Sequence, residues 1–169
     1  VPDTAHPAFL KGGHLLGIEP IVAPCDPQST QVDLDFVRDH INERTIALVG
    51  SACNYPYGTI DPIDRLSDLA REFDIGLHVD GCLGGFILPW GEQLGVPRIP
   101  VFDFRLPGVT SISADTHKYG FGLKGTSVVL YRDIGLRRHQ YHLASSWKGG
   151  AYASYVFAGS RSGGLIAAT

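Results

Sequence analysis

No methionine occurs anywhere in the 169 residues, and tryptophan appears only twice. With valine at position 1 and a helix-like start at the closing GGLIAAT, the expectation is an internal piece of a longer protein. Cysteine is nearly as scarce: Cys25, Cys53 and Cys82 are odd in number, widely spaced and free of any CxxC pair. That argues against a disulfide framework or a zinc site and suits reduced, intracellular thiols. No apolar run nears the roughly 20 residues of a membrane-spanning helix. Charge of one sign is lacking too, with a formal net charge of -3, so nothing points to nucleic acid or an anionic membrane surface as partner. Internal repeats, low-complexity tracts and linkers are also missing. What remains is an ordinary globular composition, 44% hydrophobic, on a chain long enough for one domain with a real core.

The apolar pattern alternates between two periods. Residues 5–16 (AHPAFLKGGHLL) read as a helix with Pro7 in its first turn, weakened by Gly12 and Gly13, and GIEPIVAP after it reads as strand-like. In VDLDFVRDHINE, Leu34, Val37 and Ile41 share a helical face behind Asp33 as N-cap. TIALVGSA (45–52) is a continuous apolar run, the profile of a buried parallel strand, and the loop NYPYGTIDP follows. IDRLSDLAREF is an amphipathic helix expected to turn Ile63, Leu66, Leu69, Ala70 and Phe73 inward. IGLHVD (75–80), TSISA (110–114) and TSVVLYR (126–132) are further strands. Residues 86–109 and the Gly-, Ser- and Tyr-rich tail 140–164 show no clean period. Strand–helix–strand alternation at these lengths predicts an α/β domain with a mainly parallel sheet flanked by helices.

Two strand ends carry chemistry. Strand 75–80 finishes in His78-Val79-Asp80, and strand 110–114 runs into Asp115-Thr116-His117-Lys118, with Lys124 close behind. In a parallel sheet, both ends reach the same edge, where α/β proteins hold ligands. One lysine and one aspartate, with an imidazole plate, suit pyridoxal phosphate: the amine bonds the aldehyde and the carboxylate pairs with the pyridine nitrogen. Such a pair at ~4 Å is worth about 4 kcal/mol at an effective dielectric of ~20. A nucleophilic lysine must also be desolvated or sit beside other cations, a role open to His117 and Lys124. Each residue alone has an ordinary structural reading. An aspartate after a strand is commonly a helix N-cap, His-Lys is usually solvated, Lys124 is a turn lysine, and His6 is a polar residue in a first turn. Their arrangement at two strand ends, each flanked by glycines, favours the site.

HVDGCLGGF (78–86), SISADTHKYG (111–120) and AGSRSGG (158–164), with TAHPAF and GTIDPI, resemble the pyridoxal-phosphate decarboxylase family of fold type I across essentially the whole chain. DTHKYG with Lys124-Gly125, WKGGAYAS (147–154) and the GSR motif are more specific. They are similar to the branch of that family that cleaves phosphorylated long-chain sphingoid bases. The resemblance implies that Lys118 bonds the cofactor aldehyde, Asp80 pairs with the pyridinium, His6 lies over the ring, and His117 holds the cofactor phosphate. It implies that Lys124 binds the substrate's phosphate, which an amino-acid decarboxylase would not need. Tyr55 stands as a substrate-facing hydroxyl or, equally, as a loop tyrosine packing on prolines. Cys82 reads as packing. Gly159, Ser160 and Arg161 would reach a neighbouring subunit of a homodimer with shared active sites, or else stabilise their own turn.

Three departures stand out: Gly81 replaces the usual alanine beneath the ring, Gly122-Leu123 replaces Ala-Pro, and Ser162 replaces the proline of GSRPGG. The resemblance implies that residues 1–169 are one partial large domain, lacking an upstream phosphate-cradling segment and a small C-terminal domain, and inactive in isolation. The implied reaction is retro-aldol cleavage to a fatty aldehyde and phosphoethanolamine. The implied setting is the cytoplasm, or a cytosol-facing domain at the endoplasmic reticulum. An amino-acid decarboxylase of the same fold and a non-catalytic interaction module remain the alternatives, although the latter would be expected to have lost the lysine or the aspartate.

Overall fold

The computed structural model describes residues 1–169. Helix α1 (Ala8–Leu16) closes on Gly17 in the left-handed region at φ 67. Helix α2 (Leu34–His40) begins as expected at Asp33, whose side chain accepts from the Phe36 N–H. Strand β1 (Ala47–Ser51), helix α3 (Ile63–Glu72) and strand β2 (Gly76–Asp80) then form a right-length crossover unit. A 3-10 turn at Gly84–Phe86 leads into helix α4 (Leu88–Gln93), a segment whose prolines hide its helical character in the sequence. Strands β3 (Val109–Ala114) and β4 (Val128–Tyr131) complete the sheet. Helix α5 (Ile134–Arg137), a small antiparallel hairpin of β5 (His142–Ala144) and β6 (Tyr152–Ser154), and helix α6 (Gly163–Ala168) finish the chain.

The sheet order is β1-β2-β3-β4, with β1, β2 and β3 parallel and β4 antiparallel to β3. The last strand is therefore the exception to an otherwise parallel sheet. The stretch 17–24 forms no strand, only a single bridge between Pro2 and Ala23. Pro20 and Pro24 lack the N–H donors that a ladder needs. One face of the sheet is closed by α3: Ile63, Leu66, Leu69 and Ala70 pack with Leu48, Leu77, Val79 and Ile112 in the main core. Phe73 departs from the inward set. It ends α3 38% exposed, under the guanidinium of Arg38.

Alternation along the strands turns the opposite face polar. Val49, His78 and Ser111 lie side by side as one rung, and Ser51, Asp80 and Ser113 as the next. A β-bulge makes this possible. Leu77 pairs with Val109 but His78 pairs with Ser111, so Thr110 is the extra residue, and its hydroxyl bonds both the N–H and the carbonyl of Leu77. Without that extra residue the serines would turn into the core.

Candidate functional site

The C-terminal ends of β1, β2 and β3 are knitted together by backbone bonds. Ala52 donates to the Asp80 carbonyl at 2.8 Å, and Asp115 donates to the Cys82 carbonyl at 3.3 Å. The chain after β2 runs close beneath β3: a Cβ on Gly81 would come 2.9 Å from the Ser113 carbonyl oxygen. Glycine at 81 thus has a packing reason within this chain, and a methyl there requires a shift of backbone. A Cβ on Gly84 would be worse, at 2.1 Å from the Ala52 carbonyl oxygen.

Above this edge opens a cleft of about 150 Å³, lined by His6, Ser51, Cys53, Asn54, Tyr55, Asp80, Cys82 and Lys118. Four of the residues expected at a site from the sequence therefore meet here: Lys118, Asp80, His6 and Tyr55. Asp80 is buried, and its Oδ1 accepts from the Cys82 N–H at 3.0 Å and the Ser113 hydroxyl at 3.1 Å. No protein hydrogen bond reaches its Oδ2. His6 sits at the rim, with Nδ1 accepting from the Ala8 N–H at the start of α1. Tyr55, also in the lining, is 77% exposed.

Lys118 lies in the turn that follows β3, and its ammonium is 2.9 Å from Oδ2 of Asp115. Partial burial works against that charge, but the Cys82 side chain and the Asp115 carboxylate outweigh it, so the net push on the lysine is upward. The neighbouring cations expected to lower it do not act here. Burial pushes the Cys82 thiol up to about 11, so it is a neutral group beside the lysine. Asp115 is held below the usual carboxylate range: its own burial pulls upward, but hydrogen bonds from Ser127 and Lys118 and the adjacent Lys118 charge prevail.

The other expected residues lie outside the cleft lining. His117 turns away: its Nδ1 contacts the Thr126 carbonyl, and its Nε2 is 3.6 Å from Asp115. Together with a Thr116–Thr126 hydroxyl bond at 2.7 Å, it closes the base of the 116–126 loop. Lys124 rides that loop, exposed and without an ion pair. Ser160 and Arg161 are exposed and Gly159 is half-buried, and Arg161 bonds the Tyr155 hydroxyl at 2.7 Å and lies over its ring. Within this chain, that is the turn-stabilising arrangement.

Sequence reasoning missed Asp115, Ser51, Asn54 and Ser113. Asp115 precedes Lys118 by three residues, a spacing that a tight turn brings together. Ser113 shares the two-residue period that aligns it with Asp80. Ser51 and Asn54 gave no signal. Yet both are 1% exposed, and the Ser51 hydroxyl and the Asn54 amide nitrogen have no hydrogen-bond partner. Buried polar atoms are rarely left unpaired, so the cleft has donors prepared for something polar. An amine, a buried carboxylate with a spare oxygen and these two orphans fit pyridoxal phosphate: an aldehyde for Lys118, a pyridinium N–H for Asp80, and polar substituents for Ser51 and Asn54.

Comparison with known proteins agrees with this chemistry. The chain is 54% identical over 168 residues to the sphingosine-1-phosphate lyase of Dictyostelium discoideum, covering 99% of this chain and 32% of that protein. It is 48% identical to the Saccharomyces cerevisiae sphingosine-1-phosphate lyase, covering 98% of this chain and 28% of that one. The chain thus spans about a third of the length of these curated relatives. Among solved structures, a Burkholderia pseudomallei sphingosine-1-phosphate lyase superposes with a TM-score of 0.97 at 66% identity, over 99% of this chain and 38% of that one. A Lactobacillus brevis glutamate decarboxylase superposes with a TM-score of 0.81 at 26% identity, over 98% and 38%. The model of the pyridoxal-dependent decarboxylase conserved domain matches residues 2–147, and on that match, together with the strand-end lysine and aspartate, the chain belongs to the pyridoxal-dependent decarboxylase family.

Proposed function

We propose that the protein containing this chain is a pyridoxal-phosphate lyase that cleaves phosphorylated long-chain sphingoid bases to a fatty aldehyde and phosphoethanolamine. In this reading residues 1–169 are part of its large, cofactor-binding domain. The observation that carries the reading is the convergence of Lys118 and Asp80 on one cleft at the ends of adjacent parallel strands. Identity of 54% and 48% to sphingosine-1-phosphate lyases over nearly the whole chain supports the choice of substrate class.

When bound, pyridoxal phosphate supplies an electron sink for the pair released as the C2–C3 bond of the substrate breaks. Asp80 holds a negative charge where a protonated ring nitrogen would lie, with Ser113 and the Cys82 N–H fixing Oδ1 and leaving Oδ2 to make the contact. Lys118 is the residue that would hold the cofactor aldehyde, and Asp115, 2.9 Å from its ammonium, bears on the loss of its proton. His6, at the cleft rim before α1, would lie over the ring. Ser51 and Asn54 would bond polar substituents of the ring. The C3 hydroxyl proton of the substrate goes to a base, for which freed Lys118 and Tyr55, both in the cleft, and a phosphate oxygen of the substrate are the candidates. His117, whose Nδ1 is held by the Thr126 carbonyl, would hold the cofactor phosphate. Lys124 meets the substrate phosphate, and Gly159, Ser160 and Arg161 reach the second subunit of a homodimer.

Two experiments test this on the full-length protein. Borohydride reduction followed by mass spectrometry should find the cofactor on Lys118, and Lys118→Ala should lose it; retention of the adduct elsewhere would overturn the anchor. One observation favours a second reading, an amino-acid decarboxylase: Lys124 is not among the cleft-lining residues. Lys124→Ala separates the two. A large rise in KM for a phosphorylated sphingoid base supports the lyase, and an unchanged KM supports the decarboxylase.

A further inference from the structure

His78 lies two residues before Asp80 on the same face of β2, largely buried and covered by the Phe9 ring of α1 at 5.8 Å. Nothing so far gives it a task, although both ring nitrogens are engaged. Nδ1 meets the Ser111 hydroxyl at 2.8 Å, and Nε2 meets the Ser113 hydroxyl at 3.3 Å. The Ser113 hydroxyl has a single proton and donates it to Asp80 Oδ1 at 3.1 Å. Its contact with His78 must therefore be one it accepts, so Nε2 carries the ring proton. Nδ1 is then an acceptor, and Ser111 donates to it. One proton assignment satisfies the whole chain of groups.

That assignment requires a neutral imidazole, and burial pushes His78 below its ordinary range against the opposing pull of Asp80. A histidine locked in one tautomer by hydroxyls on the neighbouring strand is a rigid donor. From the rungs Val49–His78–Ser111 and Ser51–Asp80–Ser113, the same bulge that turns Ser113 toward Asp80 turns Ser111 toward His78. The two serines and the histidine are thus delivered as a unit.

We propose that His78 is a positioning residue for Asp80: through Ser113 it orients one carboxylate oxygen and leaves the other aimed at the ring nitrogen of the cofactor. The proposal rests on the assignment of Asp80 as the pyridinium partner. His78 donates to Ser113, Ser113 donates to Oδ1, and the carboxylate plane is fixed without any protein donor on Oδ2. Loss of either link frees the carboxylate to rotate. The ring nitrogen then loses a pre-aligned partner, and cofactor affinity falls together with ring protonation.

The test uses the full-length protein loaded with pyridoxal phosphate labelled with nitrogen-15 in the ring. Two quantities are read: the dissociation constant for pyridoxal phosphate and the nitrogen-15 resonance, which reports ring protonation. Ser113→Ala and His78→Leu should each weaken cofactor binding on the order of tenfold, as loss of a hydrogen bond to a charged group does. Each should also move the resonance toward the unprotonated position. His78→Gln, which retains an N–H near Nε2, should restore most of both. The double variant His78→Leu/Ser113→Ala should be no worse than Ser113→Ala alone. Losses that multiply in the double variant, or a resonance unmoved in folded His78→Leu, overturn the relay. If His78→Leu does not fold, Ser113→Ala decides: an unmoved resonance there overturns it as well. Asp80→Asn separates the two levels, because a resonance unmoved in that variant defeats the pairing with Asp80 itself, whatever His78 does.

Discussion

Asp115 should set the pH at which Lys118 becomes a nucleophile. The ammonium and the carboxylate are 2.9 Å apart, with side chains 27% and 14% exposed. At that separation and an effective dielectric of ~20, the gross attraction is about 6 kcal/mol. Partial exposure and the cost of holding both groups out of water reduce the net value toward that of a charge-assisted hydrogen bond, about 1.5–3 kcal/mol. Replacing Asp115 by asparagine keeps an acceptor for Ser127 but removes the charge. The neutral fraction of Lys118 at a fixed pH below its midpoint should then rise roughly ten- to a hundredfold, since each 1.4 kcal/mol is a factor of ten. The sign follows from the lysine being pushed upward by its partners: removing a partner lowers the midpoint. Cys82 cannot substitute, because a thiol pushed up to about 11 is neutral at working pH and offers no charge. Stopped-flow absorbance of pyridoxal phosphate adding to the full-length apoprotein, measured across pH, gives the midpoint. A midpoint that stays put or rises in Asp115→Asn would refute the argument.

Two structural predictions accompany it. Gly84→Ala places a methyl within 2.1 Å of the Ala52 carbonyl oxygen and 2.5 Å of Leu88 Cδ1, so the backbone must move; the expected destabilisation is about 1–3 kcal/mol, read from denaturant melts of the full-length protein. Asp61 is fully buried, accepts from the Val32 and Ser51 N–H groups, and is pushed upward by desolvation in spite of them. A carboxyl raised in the folded state binds protons more tightly there, so its contribution is fully present below the unfolded value near ~4 and declines as pH rises to the folded one. The stability of the natural protein minus that of Asp61→Asn should therefore fall as pH rises above ~4; a difference that grows over that range would contradict the assignment.

The sheet was legible because its strands are short apolar runs between turn residues, and α3 because its apolar positions repeat on one face. Asp80 and Lys118 were legible for a simpler reason: one ends such a strand and the other follows one, so parallel pairing brings them to one edge. The roles implied for His117 and Lys124 depend on where a loop folds back, and that is decided by contacts with Thr126 that no spacing announces. Phe73 fits the helical period but lies just past the last residue of α3, where Arg38 covers it instead of the core. Helix α4 was hidden because residues 86–109 show no clean period, although Pro89 in the first turn of a helix costs nothing by its missing N–H.

The bulge at Thr110 shows why a site can be half visible. Read as a plain strand, residues 109–114 put Thr110, Ile112 and Ala114 on one face and Val109, Ser111 and Ser113 on the other. Paired directly from Leu77 with Val109, that would set Ser111 and Ser113 on the core side beside Val79. The structure instead spends one residue, Thr110, whose hydroxyl satisfies both backbone groups of Leu77, and everything after it changes sides. Val109 and Ile112 both reach the core, and the serines meet His78 and Asp80. A hydroxyl that can donate and accept within one turn of the ladder is what threonine brings to that position. Valine, equal in shape and equally β-branched, would supply neither the acceptor nor the donor that Thr110 gives the Leu77 backbone. The chemistry at Asp80 therefore depends on a residue that touches neither the cleft nor the catalytic lysine, through the register it imposes on the strand beside it.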